Sequence, residues 1–421
     1  MSREVTVLGA GIVGICTALS LLERGVTVRV IDRGDPGQET SSGNAGVISP
    51  WSILPQALPG TWRQIPKLMF GPHRALSIRM AAWPKMVPWG LQFLKHGRLD
   101  NVTRTADAME ILCGPSIDLY RRHLQGTGAE ELVQDSYYVH AFRNGDNANL
   151  DAIDYRIRRE KGADVVLADH SELRRLEPAL SSKYEAAILI KGQARALSPG
   201  RIGQVLADKV RKLGGDIVQR DIKSLQRSED GWTIDCGSAS FFARAVVLSL
   251  GAWSPKLLEP LGIKMPLMVE RGYHVEFPTP EIELRHSIMD MDAKVVASSM
   301  ETGLRIAGQA DFAPVDAASD PGKKTLIERA ARAMFPDLNT NDPKFWMGRR
   351  PSFPDSLPAI GELPHMDGLM CNFGHSHYGL MMAPKSGEIV ADLLVGPPQN
   401  TNLAAIAPTR FSTGFLKRYF A

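Results

Sequence analysis

Apolar positions along the chain fall into a recurring strand–helix–strand rhythm. Val5-Thr6-Val7-Leu8 forms a short apolar run, and a helix-spaced segment starting near Ile12 follows it. Val26-Thr27-Val28-Arg29-Val30-Ile31 then reads as a second strand. Residues 101–125 and 148–177 alternate charge with Leu, Ile and Ala at helical spacing, which predicts helices there. Ser198-Pro199-Gly200-Arg201 introduces a helix through Leu213, and Gly214-Gly215 ends it. A strand begins at Asp216-Ile217-Val218, a Gly231-Trp232 turn suits a hairpin, and Ala245–Leu250 is a buried strand running into a turn at Gly251. Residues 269–312 read mostly as strands, 323–334 as a helix, 368–373 as a strand and 386–394 as a helix, with a Pro/Gly loop from Gly348. Between Trp51 and His96 the composition turns to Pro, Trp, Met and Leu. This is too apolar for a linker and predicts helices and turns packed over something. No internal repeat interrupts the pattern.

The first strand–helix–strand unit carries candidate chemistry. Gly9, Gly11 and Gly14 spell Gly-x-Gly-x-x-Gly between strand and helix, and Asp32 ends the second strand, 18 residues after Gly14. Gly9 permits the tight turn, Gly11 lets a pyrophosphate approach the main chain, and Gly14 lets helix and strand pack closely. The N–H groups of Ile12 and Val13 at the helix start favour anions. Asp32, with Arg33 beside it, stands where an acidic residue binds a ribose hydroxyl. The unit predicts binding of an adenine dinucleotide.

Composition narrows the class. A chain of 421 residues with 44% hydrophobic and 23% charged residues is ordinary globular material with room for two or three domains or an interleaved pair. A net charge of +3 without a dense Lys/Arg run gives no reason to expect nucleic acid. No stretch approaches a membrane span, and the N-terminus runs straight into a strand, leaving no room for a cleaved signal. Cys16, Cys113, Cys236 and Cys371 are scattered, which reads as reduced cytoplasmic thiols and not a metal site.

Further segments add to the fingerprint: Ser42-Gly43-Asn44-Ala45-Gly46, Ser198-Pro199-Gly200-Arg201, Leu250-Gly251-Ala252-Trp253-Ser254, and the tail Gly348-Arg349-Arg350-Pro351 … Pro358-Ala359-Ile360-Gly361 … Gly374-His375-Ser376-His377-Tyr378-Gly379-Leu380. In this order they resemble the FAD-dependent amino-acid oxidoreductases of the D-amino acid oxidase superfamily, most of all the bacterial D-amino acid dehydrogenases, with glycine and sarcosine oxidases more distant. The resemblance implies an α/β (overall α+β) fold: a Rossmann-type FAD-binding domain (1–90, 192–262, 347–421) interleaved with a β-sheet substrate domain (91–191, 263–346). It implies non-covalent FAD, since no cysteine or tail histidine sits in an attachment motif. Ser41 to Ala45 would lie against the isoalloxazine, the main chain of Ile222 against adenine, and Gly251 and Trp253 along the cofactor. The loop of Gly374, Ser376, His377, Tyr378, Gly379 and Leu380 would aim N–H groups and a helix dipole at the flavin N1–C2=O. The implied partners are a small amino-acid substrate and a quinone or other electron carrier. The protein would then be cytoplasmic, with peripheral association at the inner membrane face compatible, and its oligomeric state left open.

An amino-acid oxidiser needs a fixed cation for the α-carboxylate, and a guanidinium sets position and orientation together. By resemblance Arg350, before Pro351, takes that role. Arg349 is the neighbouring alternative, and pairing of Arg350 with a carboxylate such as Asp355 is the structural one. Tyr273 could add a hydroxyl to the same carboxylate or be a sheet aromatic. His377 could touch substrate or merely pack. A second histidine and a tyrosine in this loop depart from the dehydrogenase pattern, and the extra polar pair suits a hydroxylated or cyclic substrate such as D-proline or a hydroxy-D-proline. The competing expectations are a same-fold enzyme for sarcosine, glycine or a 2-hydroxy acid, an NAD(H) dehydrogenase, and a non-catalytic flavoprotein.

Overall fold

The computed structural model describes residues 4–396 and 402–411. Strand β1 (Glu4–Leu8), helix α1 (Ile12–Leu22) and strand β2 (Thr27–Asp32) form the predicted opening unit. β1 is central in a six-stranded sheet, with β2 and then Asp216–Gln219 parallel on one side and Ala245–Leu248 and Leu369–Phe373 parallel on the other. Only the edge strand Ala359–Glu362 runs antiparallel. Because the strand order reverses at β1, a crevice opens at the carboxyl ends of β1 and Ala245–Leu248, where ligands bind in such sheets. α1 is buried along most of its length and packs against helices Pro199–Lys212 and Gly379–Val395. Gly387 makes the second contact possible, since a Cβ there would stand 2.8 Å from the Cys16 carbonyl carbon.

A second sheet of ten strands carries the long antiparallel pairs. Its order runs from Lys344–Ser352 at one edge through Met268–Phe277 and Gly303–Phe312 to Val133–Phe142 and Ala186–Ala196. Helix Gly322–Met334 covers one face through Ile327, Ala331 and Met334. Ser224–Ser228, Gly231–Asp235 and Ser240–Ala243 form a small antiparallel sheet with a hairpin whose turn lies at Glu229-Asp230, so Gly231 and Trp232, expected in the turn, begin the next strand.

Several expected boundaries move. Residues 101–125 form two helices, Leu99–Cys113 and Ser116–Leu124, divided at Pro115. Both pack through Val102, Met109, Leu112 and Tyr120 in the core cluster that contains α1, and both contact helix Gly379–Val395. The stretch 148–177 contains the strand Val165–Asp169 between two short helices, Ile153–Glu160 and His170–Leu176. Lys344–Ser352 is a strand of the large sheet although its sequence holds Pro351; as an edge strand it can spare that N–H. The last long helix begins at Gly379, ahead of Pro384. Proline withholds a bond from the Leu380 carbonyl, and the Tyr120 hydroxyl donates to that oxygen instead at 2.6 Å.

Candidate active site

A cavity of about 1230 Å³ runs from the end of β1 to the face of the large sheet. That exceeds the roughly 1,000 Å³ upper range of ordinary small-molecule sites and gives room for a dinucleotide with a substrate beyond it. Its wall includes Gly11, Ile12, Val13, Asp32, Arg33, Ser41, Gly43, Asn44, Ala45, Ile222, Gly251, Trp253, Gly374, Ser376, His377, Tyr378, Gly379 and Leu380. Gly9, Gly14 and Ser42 stand behind it. A Cβ at Gly9 would lie 2.5 Å from the Ser249 carbonyl, and one at Gly14 1.9 Å from the Gly9 carbonyl, so these two build the turn. Ser42 was expected on the cofactor, yet its hydroxyl donates to the Gln38 and Glu39 carbonyls.

At the nucleotide end the Ala10 and Gly34 N–H groups donate to the two oxygens of Asp32, at 2.6 and 3.0 Å. A carboxylate offers about four lone-pair sites, so two remain for ribose hydroxyls. A Cβ on Gly11 would meet only Ser41 Oγ, at 3.6 Å, and one on Gly251 would meet nothing within 4 Å. Both main chains therefore face open space. Ser249 Oγ and Ser376 Oγ, at the same wall, are buried without partners among the described residues. The Ile12 N–H expected for an anion donates to Ser41 Oγ at 3.1 Å, but the open main chain at Gly11 and Gly251 beside these hydroxyls is the environment a phosphate-bearing, amide-rich cofactor satisfies, so the residues present fit FAD. Arg33 lies over the Trp253 ring, 4.3 Å from its centroid, and Arg349 also approaches that ring, at 5.5 Å.

The loop 41–45 is pressed onto the large sheet. A Cβ on Gly43 would lie 1.9 Å from the Trp346 ring, and His274, stacked on Trp346, contacts the Gly43 carbonyl through Nδ1 at 3.2 Å. Arg305 donates to both the Ser42 and Asn44 carbonyls at 2.8 Å while pairing with the buried Glu276. Arg305 escaped the sequence reading because its target is main chain, which leaves no motif. Across the cavity, Ser376 takes a left-handed φ of 49° and donates its N–H to the Pro351 carbonyl at 3.0 Å. Such a conformation in a non-glycine residue is held by its surroundings, as at many functional loops. Helix Gly379–Val395 then starts at the wall, with the positive end of its dipole toward the cavity.

The substrate end is set by register. Glu270, Gly272 and His274 pair across strands with Arg350, Gly348 and Trp346 on one face. Arg350 Nη1 donates to Glu270 Oε1 at 2.9 Å and to the Gln309 carbonyl at 3.0 Å. Its guanidinium lies over Gly272, where a Cβ would stand 2.1 Å from Nη2. His377 Nε2 contacts the same Glu270 oxygen at 2.5 Å, and Ser352 Oγ donates to the other at 3.2 Å. Burial pushes the Glu270 carboxyl up, but His377 and Arg350 outweigh it and hold the pKa at about 2. Asp355 pairs with Arg410 instead. Arg349 points to the opposite strand face and donates to the Val315 carbonyl. The Tyr273 ring packs beneath the sheet on Phe345, and its hydroxyl donates to Asp311, which Arg271 also holds. The hydroxyl expected for a substrate carboxylate is thus committed to a buried network. Glu270 is the residue sequence reasoning missed. The signal was a carboxylate set into an apolar strand, in register with Arg350.

Burial in this neighbourhood also fixes an acid limit. His274 and His375 are buried and their pKa values are pushed down to about 3 by burial. They stay neutral in the fold but take protons when unfolded below about pH 6.5. Glu177 opposes them, since burial raises its pKa to about 7 and the fold holds a proton the unfolded chain releases above about 4.5. With two histidines against one carboxyl, stability falls as pH drops from 6.5 to 4.5, and below that the depressed Glu270 adds to the loss. A thermal melt series should therefore show Tm lower at pH 5 than at pH 7; a Tm that rose toward pH 5 would contradict these burials.

Comparison with known proteins agrees with this geometry. Residues 4–393 match the family described as DAO, FAD dependent oxidoreductase. The chain is 34% identical over 417 residues to a D-amino-acid oxidase of Bradyrhizobium diazoefficiens, covering 97% of this chain and 99% of that protein. It is 28% identical to a D-amino acid dehydrogenase of Rhizobium rhizogenes, covering 97% and 100%. The fold superposes on glycine oxidase from Geobacillus kaustophilus with a TM-score of 0.73 at 20% identity, covering 97% and 99%. With the fingerprint, the open main chain at Gly11 and the match across nearly the whole chain in agreement, this chain belongs to the DAO family and is an FAD-dependent oxidoreductase.

Proposed function

We propose that the protein oxidises a D-amino acid, with cyclic substrates such as D-proline or a hydroxy-D-proline inside its range. The observation that carries this reading is Arg350, fixed through Nη1 by Glu270 and the Gln309 carbonyl, with Nε and Nη2 free of partners among the described residues at the cavity wall. That free edge suits a bidentate carboxylate. The named activities of the two relatives, oxidase and dehydrogenase, point to the same substrate class and leave oxygen and a quinone or carrier as candidate acceptors.

FAD, when bound, supplies a hydride acceptor for the substrate Cα at N5. The protein binds and orients: Arg350 anchors the carboxylate, and the loop 41–45 and the Gly374–Leu380 loop enclose the cofactor side. The substrate amine must be neutral for its lone pair to help expel the hydride. His377, held through Nε2 by Glu270, lines the same wall and helps orient the polar end of the substrate. Positioning of this kind is worth several kcal/mol, on the order of 7–11 at its limit. The linear imine hydrolyses to a 2-oxo acid and ammonia, while a cyclic one persists as a pyrroline carboxylate.

The test is an anaerobic panel of D- and L-amino acids, both prolines and their hydroxylated forms, sarcosine and 2-hydroxy acids, read by bleaching of the flavin band. Bleaching by D-amino acids supports the reading, and bleaching by 2-hydroxy acids alone overturns it. Acid precipitation should leave the yellow colour in the supernatant, because the cofactor is held without a covalent bond; colour in the pellet would contradict that.

A further inference from the structure

Helices α2 (Thr61–Phe70) and α3 (Trp83–His96) border the cavity mouth and leave apolar side chains uncovered at its rim and beyond it. α3 is anchored through Met86 and Trp89, which pack on Met268 and Phe312, while the Trp89 indole donates to the Ser352 carbonyl. A second stripe, Trp83, Val87, Leu91 and Leu94, recurs at intervals of four, four and three residues, lines the cavity mouth and is open to solvent. On α2, Trp62 and Phe70 stand two turns apart and are 59% and 80% exposed; Met80, between the helices, is 89% exposed. Scattered single apolar residues at the surface are normal, but a continuous set on adjoining elements marks an interaction surface.

Charge identifies the occupant. Residues 40–99 contain no Asp or Glu, yet they hold Arg63, Lys67, Arg74, Arg79, Lys85, Lys95 and Arg98. Arg79 pairs with Asp311. The other six are exposed, and among the described residues none makes an ion pair. A second copy of this face would bring those cations against one another. Exposed apolar stripes flanked by unpaired cations complement a surface that is apolar beneath and negative above.

We propose that α2 and α3 dock on an anionic lipid bilayer, with Trp62, Phe70, Met80 and Leu91 entering the interface and the unpaired cations meeting lipid phosphates. Among the described residues no helix is long and apolar enough to cross a membrane, so the association is peripheral. Docking turns the cavity mouth toward the bilayer, from which an apolar electron acceptor such as a quinone reaches the cavity.

The test is co-sedimentation of the FAD-loaded protein with vesicles of phosphatidylcholine alone and with one-third phosphatidylglycerol. The expected result is binding to the anionic vesicles at least about tenfold stronger than to the neutral ones, weakened by high salt. Trp62→Ser with Phe70→Ser, and separately Lys67→Glu with Lys85→Glu, should each lower that binding about tenfold or more while the protein stays folded and yellow. Equal binding to both vesicles, or variants that bind like the parent, would overturn the proposal. So would a concentration-dependent dimer that the same apolar substitutions abolish, without vesicle binding; that would give the face to a second copy.

Discussion

Arg350→Lys is expected to lower kcat/KM for the amino-acid substrate at least about a hundredfold, or ~2.7 kcal/mol of transition-state stabilisation. Lysine keeps the charge and can still meet Glu270, so the buried carboxylate is not abandoned. What disappears is the Nε–Nη2 edge, the part of the guanidinium left free by Glu270 and Gln309. Loss of binding raises KM, and loss of aim at Cα lowers kcat, so both parameters should worsen. Gly272→Ala should reproduce part of the effect without touching the charge, because its methyl would stand within 2.2 Å of the Arg350 guanidinium and displace it. Arg349→Lys is the control. That side chain lies toward Val315 and Trp253 on the other strand face and should cost less than about tenfold. Steady-state kinetics on the three variants decide the matter. Damage ranked with Arg349 first would move the anchor, and two mild arginine effects would remove the carboxylate from the substrate.

The contrast between the two arginines shows where sequence reasoning reached and where it stopped. The opening unit was legible down to Asp32 because each glycine there answers a local steric demand and the strands are continuous apolar runs. Arg350 is suggested only by family likeness; we prefer it to Arg349 because this tail is a strand, where neighbours face opposite sides. Pro351 hid that strand, since an edge position excuses the missing N–H only after the sheet is known. Pro384 hid the first turn of the last helix in the same way, because the compensating hydroxyl of Tyr120 lies 264 residues earlier in the chain. Glu270 and Arg305 act across strands, on a side chain and on main-chain carbonyls, and neither relation has a sequence spacing. Tyr273 borders the cavity, but its hydroxyl is committed to Asp311. A hydroxyl's partner across the sheet, here Asp311 38 residues away, has no trace in local spacing.

Gly11→Val separates folding from cofactor binding more cleanly than any other change in the fingerprint. Gly11 has φ −65° and ψ 170°, which a β-branched residue adopts readily, and its Cβ direction meets no protein atom nearer than 3.6 Å. The protein therefore accommodates the valine, and the apoprotein should fold with its secondary structure intact. Its methyls would fill the space the fingerprint assigns to the pyrophosphate, so the purified variant should be colourless and inactive. Gly9 and Gly14 predict the opposite behaviour. Gly9 has φ 111°, and a Cβ at either position collides with backbone carbonyl, so valine there should yield insoluble protein. Asp32→Ala should be milder than Gly11→Val, costing about 1.5–3 kcal/mol of cofactor affinity for a hydrogen bond to a charged acceptor. Circular dichroism beside the flavin absorbance reads the distinction directly. A Gly11→Val protein that is folded and fully yellow would place the pyrophosphate elsewhere, and one that fails to fold would show that this turn tolerates no side chain even without its cofactor.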